Sequence, residues 1–239
     1  MSTRPASPPY RIAPGYLAGP DALGTRRITD RLVAYGFTPE PFYEARAYAR
    51  RDPHGLLEAL QTPRSAPDPT DGEEPHTDWE FTARTAPGRP ATWRVRFAPT
   101  TPPELPAALA TALTAQAPDH DGTPHYLHPP GTPEEATAPL AEAGWMRDLG
   151  RHECAWYAPG QQAVLVTPLR PDAHGHGGAN WLLAARRATD HTALWYATAH
   201  PRTPTHLIRA LCTQLTDPTP VPRTHRPDPD VGPLTVTHP

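Results

Sequence analysis

The sequence repeats one of its own segments. Residues 92–114, "TWRVRFAPTTPPELPAALATALT", return 102 residues later at 194–216 as "LWYATAHPRTPTHLIRALCTQLT". Upstream of this stretch, Trp79 returns as Trp181 at the same spacing. Self-similarity over such a length predicts two copies of one domain, packed about an approximate two-fold axis.

Each copy has the pattern of a helix, four strands and a closing helix. Helix starts are marked by threonine caps, as in "TPEEA" at Thr132, where Glu135 completes a capping box. Alternating apolar residues predict strands at 42–51, 56–62, 78–85 and 91–98 in the first copy, and at 151–158, 161–168, 180–187 and 192–199 in the second. The predicted fold class is therefore α+β, with two tandem repeats that are each a four-stranded antiparallel sheet with helices on one face (α-β-β-β-β-α).

Stretches rich in proline, aspartate, threonine and histidine separate these patterned regions. They have few large apolar residues, which predicts connections and tails with little core of their own. The predicted boundaries are a disordered tail at 1–13, repeat one at 14–117, a linker at 118–131, repeat two at 132–217 and a proline-rich disordered tail at 218–239.

Overall charge argues against a protein that binds polyanions through bulk charge alone. The formal net charge is -3, although all 22 basic residues are arginine. No apolar run approaches the roughly 18 residues of a membrane span, and the first residues lack the apolar core of a signal peptide. The sequence thus predicts a cytoplasmic protein without a membrane partner, associated with the nucleoid if it binds DNA.

Alternation along the strands predicts where arginines gather. If Trp93 faces the core, Arg94 and Arg96 face away from it. Applied to every strand, this rule predicts an outer face of Arg46, Tyr48, Arg50, Arg84, Arg94 and Arg96 in copy one, with Glu80 among them. The same face of copy two is milder, since Arg151, Arg186, Tyr157 and Tyr196 are mixed there with Glu153, Leu182 and Thr198. Arginines interleaved with tyrosine suit nucleic acid, since guanidinium groups neutralise phosphates and aromatic rings stack on bases. The predicted nucleic-acid-binding site is Arg46, Tyr48, Arg50, Arg84, Arg94, Arg96, Arg151, Arg186 and Tyr196.

Catalytic and metal-binding motifs are missing from the sequence. It has no glycine-rich phosphate loop and no serine-centred elbow. The histidines of "HDGTPHYLH" (120–128) and "HGHGG" (174–178) lack the ligand spacing of a zinc site. We therefore expect no enzyme, no cofactor and no metal.

Two functions stay open on these grounds. The first is a regulatory or nucleoid-associated DNA-binding protein, with single- and double-stranded DNA equally open. The second is a protein-protein interaction module or homodimeric scaffold that binds no nucleic acid, because an exposed antiparallel face is polar in any case and can pack against another sheet.

Several segments resemble one known family. They are "YRIAPGYLAG" (10–19), "LAEAGW" (140–145), the paired strand tryptophans and "RTPTHLIRALCTQLTDP" (202–218). Together they are similar to the actinobacterial domain of unknown function 317, which is common in Streptomyces and typically occurs in tandem. The resemblance spans about 10–218, and copy one departs from it at 49–63, where the usual strand-like run is lost. It implies a tandem architecture and carries no activity.

Overall fold

The fold was derived from a computed structural model that describes residues 10–41, 48–51, 55–62, 79–115, 123–150, 154–168 and 180–238. Within these ranges the helices are α1 (Ala22–Ala34), α2 (Glu104–Leu113), α3 (Pro133–Glu142) and α4 (Thr205–Thr216). The strands are β1 (Tyr10–Ala13), β2 (Thr38–Pro41), β3 (Tyr48–Arg51), β4 (Leu57–Gln61), β5 (Trp79–Ala83), β6 (Trp93–Phe97), β7 (Met146–Leu149), β8 (Cys154–Tyr157), β9 (Ala163–Thr167), β10 (Trp181–Arg186), β11 (Ala193–Ala199), β12 (Val221–Arg223) and β13 (Thr235–Thr237).

One antiparallel sheet of ten strands runs through both halves of the chain. Its order is β2-β3-β4-β5-β6-β11-β10-β9-β8-β7, so the second half continues the first across the β6–β11 pair. At that pair Arg96 lies opposite Thr198, and the two residues are 102 positions apart, the spacing of the sequence repeat. The predicted α+β class is confirmed, whereas the two predicted sheets are one.

Each half contributes five strands to the sheet instead of the predicted four. The additional strands are β2, "TPEP", and β7, "MRDL", and both lie at the outer edges of the sheet. Proline and charged residues are tolerated there because one side of an edge strand needs no ladder hydrogen bonds. Because proline and charged residues are also typical of loops, the sequence pattern did not predict these two strands.

All four helices cover one face of the sheet. Trp93, Val95 and Phe97 of β6 are buried against them, while Arg94 and Arg96 alternate onto the opposite face. Helix α1 packs on α2, α2 on α4 and α4 on α3. The buried side chains of both halves form one continuous core cluster.

A short 3₁₀ turn before each half's first helix is bound by the other half. The indole Nε1 of Trp93, in the first half, donates to the carbonyl oxygen of Tyr126 at 2.7 Å, and Tyr126 lies in the turn His125–Leu127 before α3. Trp195, in the second half, donates to the carbonyl oxygen of Tyr16 at 2.7 Å, in the turn Gly15–Leu17 before α1. Because a buried indole N–H is costly to leave unpaired, these bonds tie the two halves together.

Parts of the predicted linker and tails contact the rest of the protein where the structure describes them. Tyr126, in the predicted linker, is only 3% exposed. Strands β12 and β13, from the predicted C-terminal tail, flank β1 in a separate three-stranded sheet. Ile12 of β1 and Val221 of β12 are buried together in a small apolar cluster of this sheet. Residues 1–9 lie outside the described ranges.

A buried ion pair anchors the C-terminal segment to the main body. Arg223 is 3% exposed and donates to both carboxylate oxygens of Glu104, at 2.7 and 2.8 Å. Its Nε also donates to the carbonyl oxygen of Ala18 at 3.0 Å, and Nη2 to that of Gly19 at 3.0 Å. A buried guanidinium satisfied in this way fixes the position of the segment that carries it.

Replacing Arg223 tests this anchor. We expect Arg223→Gln to lower the free energy of unfolding by about 3 kcal/mol, because it leaves the Glu104 carboxylate partly buried without its partner. Arg209→Gln, on the exposed side of α4, is the matched control and should stay within about 0.5 kcal/mol of the wild type. Urea unfolding measures both, and equal effects of the two substitutions would contradict the anchoring role.

Candidate functional site

The sheet has one face that no described helix covers, which we call the open face. It carries the side chains that alternate with the core residues of each strand. In the first half these are Glu58, Leu60, Glu80, Thr82, Arg94 and Arg96, and in the second half Met146, Asp148, Ala155, Tyr157, Val164, Val166, Leu182, Ala184, Tyr196 and Thr198.

The first half of the open face is ionic. Glu80 accepts from Arg94 Nε at 2.9 Å and from Arg96 Nε at 2.7 Å, and Arg84 Nη1 lies 2.8 Å from a carboxylate oxygen of Glu58. Register explains the contacts, since Glu80 is directly opposite Arg96 on the neighbouring strand. Here two carboxylates offset three guanidinium groups, so the local excess of positive charge is small.

The second half of the open face is mainly apolar. At the 102-residue spacing, Glu80 is replaced by Leu182 and Arg94 by Tyr196. Leu182 is paired with Val166 on the next strand and is 36% exposed, while Met146 at the sheet edge is 52% exposed. Apolar side chains that adjoin across several strands form a patch of the kind that marks interaction surfaces.

Four of the predicted site residues come together on the open face, namely Arg84, Arg94, Arg96 and Tyr196. Arg186 lies at the end of β10, where its Nε donates to the carbonyl oxygen of Gln161 at 3.0 Å. Arg46 and Arg151 fall outside the described residues.

Backbone pairing places Tyr48 opposite Gln61 and Arg50 opposite Ala59 on β4. The predicted open-face positions of the Tyr48 and Arg50 side chains stay predictions.

The sequence predicted a milder face in the second copy, with Leu182 on it, but it did not single out the acidic partner Glu58. Cross-strand register brings Glu58 close to Arg84, and register is set by residues far apart in the chain.

Comparison with known families assigns the chain to one of them. The profile of SPDY, a domain of unknown function (DUF317), matches residues 51–119 and 165–221, one segment in each half and together more than half of the chain. The chain belongs to this DUF317 family. No curated protein and no solved structure matches it. The family resemblance predicted from the sequence is confirmed, and the family description leaves the activity open.

This DUF317 chain also has a cavity, which we call the terminal pocket and which lies away from the open face. It has a volume of about 340 Å³ and forms where both chain ends meet the far ends of β10 and β11. Its polar walls include Arg187, Arg223 and Arg226, and its apolar walls include Leu194 and Val231. Tyr16 also lines it, and burial raises the pKa of the Tyr16 phenol, which keeps that group neutral.

Histidines of the predicted linker have structural contacts where they are described. His125 is 5% exposed, and its Nε2 lies 3.2 Å from the carbonyl oxygen of Ala112. Among the described residues no group of three or more His, Cys, Asp or Glu side chains is placed to hold a metal ion. His120, His174 and His176 lie outside those residues. The described helices include none that is long and apolar enough to cross a bilayer.

Proposed function

We propose that this DUF317 chain is a non-enzymatic scaffold that associates with a second copy of itself through the open face. The observation that carries the proposal is the apolar half of that face, where Leu182 lies opposite Val166 and Ala184 lies opposite Val164 with no described helix over them. An uncovered apolar sheet surface gains free energy when a second sheet packs on it.

The size of the open face suits a stable dimer. Ten strands about 4.8 Å apart and about 17 Å long give roughly 800 Å² per copy. This is the area that each partner contributes to an interface of standard size.

The ionic half is compatible with the same pairing. When like halves of two copies face each other, the apolar half meets its equivalent and the alternating arginines and glutamates meet theirs. The side chains of Arg94 and Arg96 are 46% and 38% exposed. Their guanidinium groups can therefore contact a second copy while they keep their contacts with Glu80. Such contacts give register and specificity more than affinity.

An approximate two-fold relation between the repeats is part of the proposal. It is supported by the mirrored strand order and by the pairing of Arg96 with Thr198. On this view the two repeats share the residues that build the core and differ on the open face, where each half has its own partner surface.

A charge placed in the apolar half tests the proposal. We expect wild-type protein to dimerise between about 1 and about 100 µM, and Leu182→Glu to raise the dissociation constant at least about 100-fold, because each dimer would bury two unpaired carboxylates. Sedimentation velocity at several concentrations measures the effect, with Met146→Glu as a second variant at a more exposed position.

The matched control is Val33→Glu, an equally apolar residue that is 48% exposed on α1, on the helix side of the sheet. It should dimerise like the wild type. A wild-type protein that stays monomeric throughout the range, or a Leu182→Glu variant that dimerises as tightly as Val33→Glu, would exclude the open face as the interface.

A second candidate function is DNA binding through the first half of the open face. The observation that favours it is the gathering of Arg84, Arg94 and Arg96 on the same face as Tyr196. In this case phosphates would compete with Glu80 and Glu58 for the guanidinium groups, and binding would weaken with salt.

Removing Glu80 separates this candidate from the first. If DNA binds here, Glu80→Gln should tighten binding about threefold by removing a negative charge beside Arg94 and Arg96, and Arg94→Glu with Arg96→Glu should weaken it and reduce its salt dependence. Fluorescence anisotropy with labelled single- and double-stranded DNA at several salt concentrations measures both. Binding that is absent at low salt, or that Glu80→Gln leaves unchanged, removes DNA as a partner of this face.

A further inference from the structure

The terminal pocket has the dimensions of a small-molecule site. Its volume of about 340 Å³ is within the range of pockets that hold small organic ligands. Its walls come from segments distant in sequence, since Gly19 and Pro20, Thr100, Leu194 and Asp228 of the C-terminal segment all line it. Hydrogen bonds hold the C-terminal wall in place, because Ala188 N and Gln162 Nε2 both donate to the carbonyl oxygen of Val231.

One pocket arginine has donor capacity that the described residues leave unused. The Nε of Arg187 is buried and has no hydrogen-bond partner among them. Its Nη1 lies 3.5 Å from Asp190 and its Nη2 4.0 Å from Asp228, which are weak contacts to two half-exposed carboxylates. Since Nη1 and Nη2 make only these weak contacts, an anion in the pocket would accept charge-assisted hydrogen bonds from them.

The other two pocket arginines differ from Arg187 and from each other. Arg223 is satisfied by Glu104 and by backbone carbonyls, so it forms a rigid wall. Arg226 is exposed and lines the same cavity, which gives the pocket a second guanidinium that can turn toward a ligand. Two such groups bind planar or tetrahedral oxyanions with paired hydrogen bonds.

The rest of the lining suits an apolar body attached to that anion. Leu194, Val231 and the half-buried ring of Tyr16 contribute apolar surface beside the arginines. Since the Tyr16 phenol stays neutral, it adds no negative charge that would repel an anion.

We propose that the terminal pocket binds a small organic anion, with a phosphate monoester or carboxylate group at Arg187 and Arg226 and an apolar body against Leu194, Val231 and Tyr16. Because the pocket is separate from the open face, this site is independent of self-association.

Calorimetric titration with phenyl phosphate and with benzoate tests the site, at an ionic strength held constant with sodium chloride. We expect at least one of the two to bind the full chain with a dissociation constant of about 0.1 mM. Inorganic phosphate is the probe for the anionic group alone and should bind at least about tenfold more weakly, since it lacks the apolar body. Inorganic phosphate binding as tightly as phenyl phosphate would overturn the organic part of the proposal.

Substitutions locate the site. Arg187→Gln should weaken binding at least about tenfold and Arg226→Gln about threefold, because each removes charge-assisted hydrogen bonds. Arg186→Gln is the matched control, since this neighbouring arginine donates to Gln161 and does not line the terminal pocket, and it should bind like the wild type.

Arg226→Gln keeps the test valid if Arg187→Gln fails to fold, because Arg226 is exposed. The proposal is overturned if neither organic anion gives saturable heat, or if the pocket substitutions weaken binding no more than Arg186→Gln. Sedimentation measures self-association independently of these titrations. Failure of the anion-binding proposal can therefore be distinguished from failure of the self-association proposal.

Discussion

Two indole hydrogen bonds hold the architecture of this protein together. Trp93 and Trp195 occupy equivalent strands of the two repeats, and each donates to the turn that begins the other repeat. Each half therefore completes its core with a piece of the other half, and the ten-stranded sheet and continuous core cluster follow from that exchange. Either half alone would leave a buried indole N–H unpaired and would leave β6 or β11 as an unpaired edge strand. Both changes would lower the free energy of unfolding.

This exchange divides the molecule into a fixed side and a variable side. Residues facing the helices must fill one core, so the tryptophans and the leucines of α2 and α4 keep the 102-residue spacing. Residues on the open face lie on the side of the sheet away from the described helices, so the core under those helices does not determine which residues they are. Glu80 and Arg94 in one repeat correspond to Leu182 and Tyr196 in the other, which changes an ion-paired surface into an apolar one. The chain ends have diverged as well, and together they build a pocket.

Local signals in the sequence predicted the elements that depend on local chemistry. Thr132 caps α3 by accepting from Glu135 N, and the tryptophan strands alternate as expected. Features that depend on distant partners were not predictable in this way. The edge strands β2 and β7, the turn at Tyr126 and the strand β12 carry proline or charged residues that are typical of loops, and only their partners make them ordered. The open face was predicted as an arginine surface that includes Glu80 and is milder in the second copy, whereas the ion pair of Glu58 with Arg84 became visible only in the structure.

Hydrogen exchange at the tryptophan indoles tests most directly whether the two repeats form one folded unit. The Nε1 protons of Trp93 and Trp195 give separate NMR signals, and each reports the opening of one cross-repeat bond. If the account is right, both protons exchange only through global unfolding, with free energies that agree with each other and with urea unfolding to within about 1 kcal/mol. Exchange of one indole through an opening that leaves the other protected would show that the repeats unfold separately, and would contradict it.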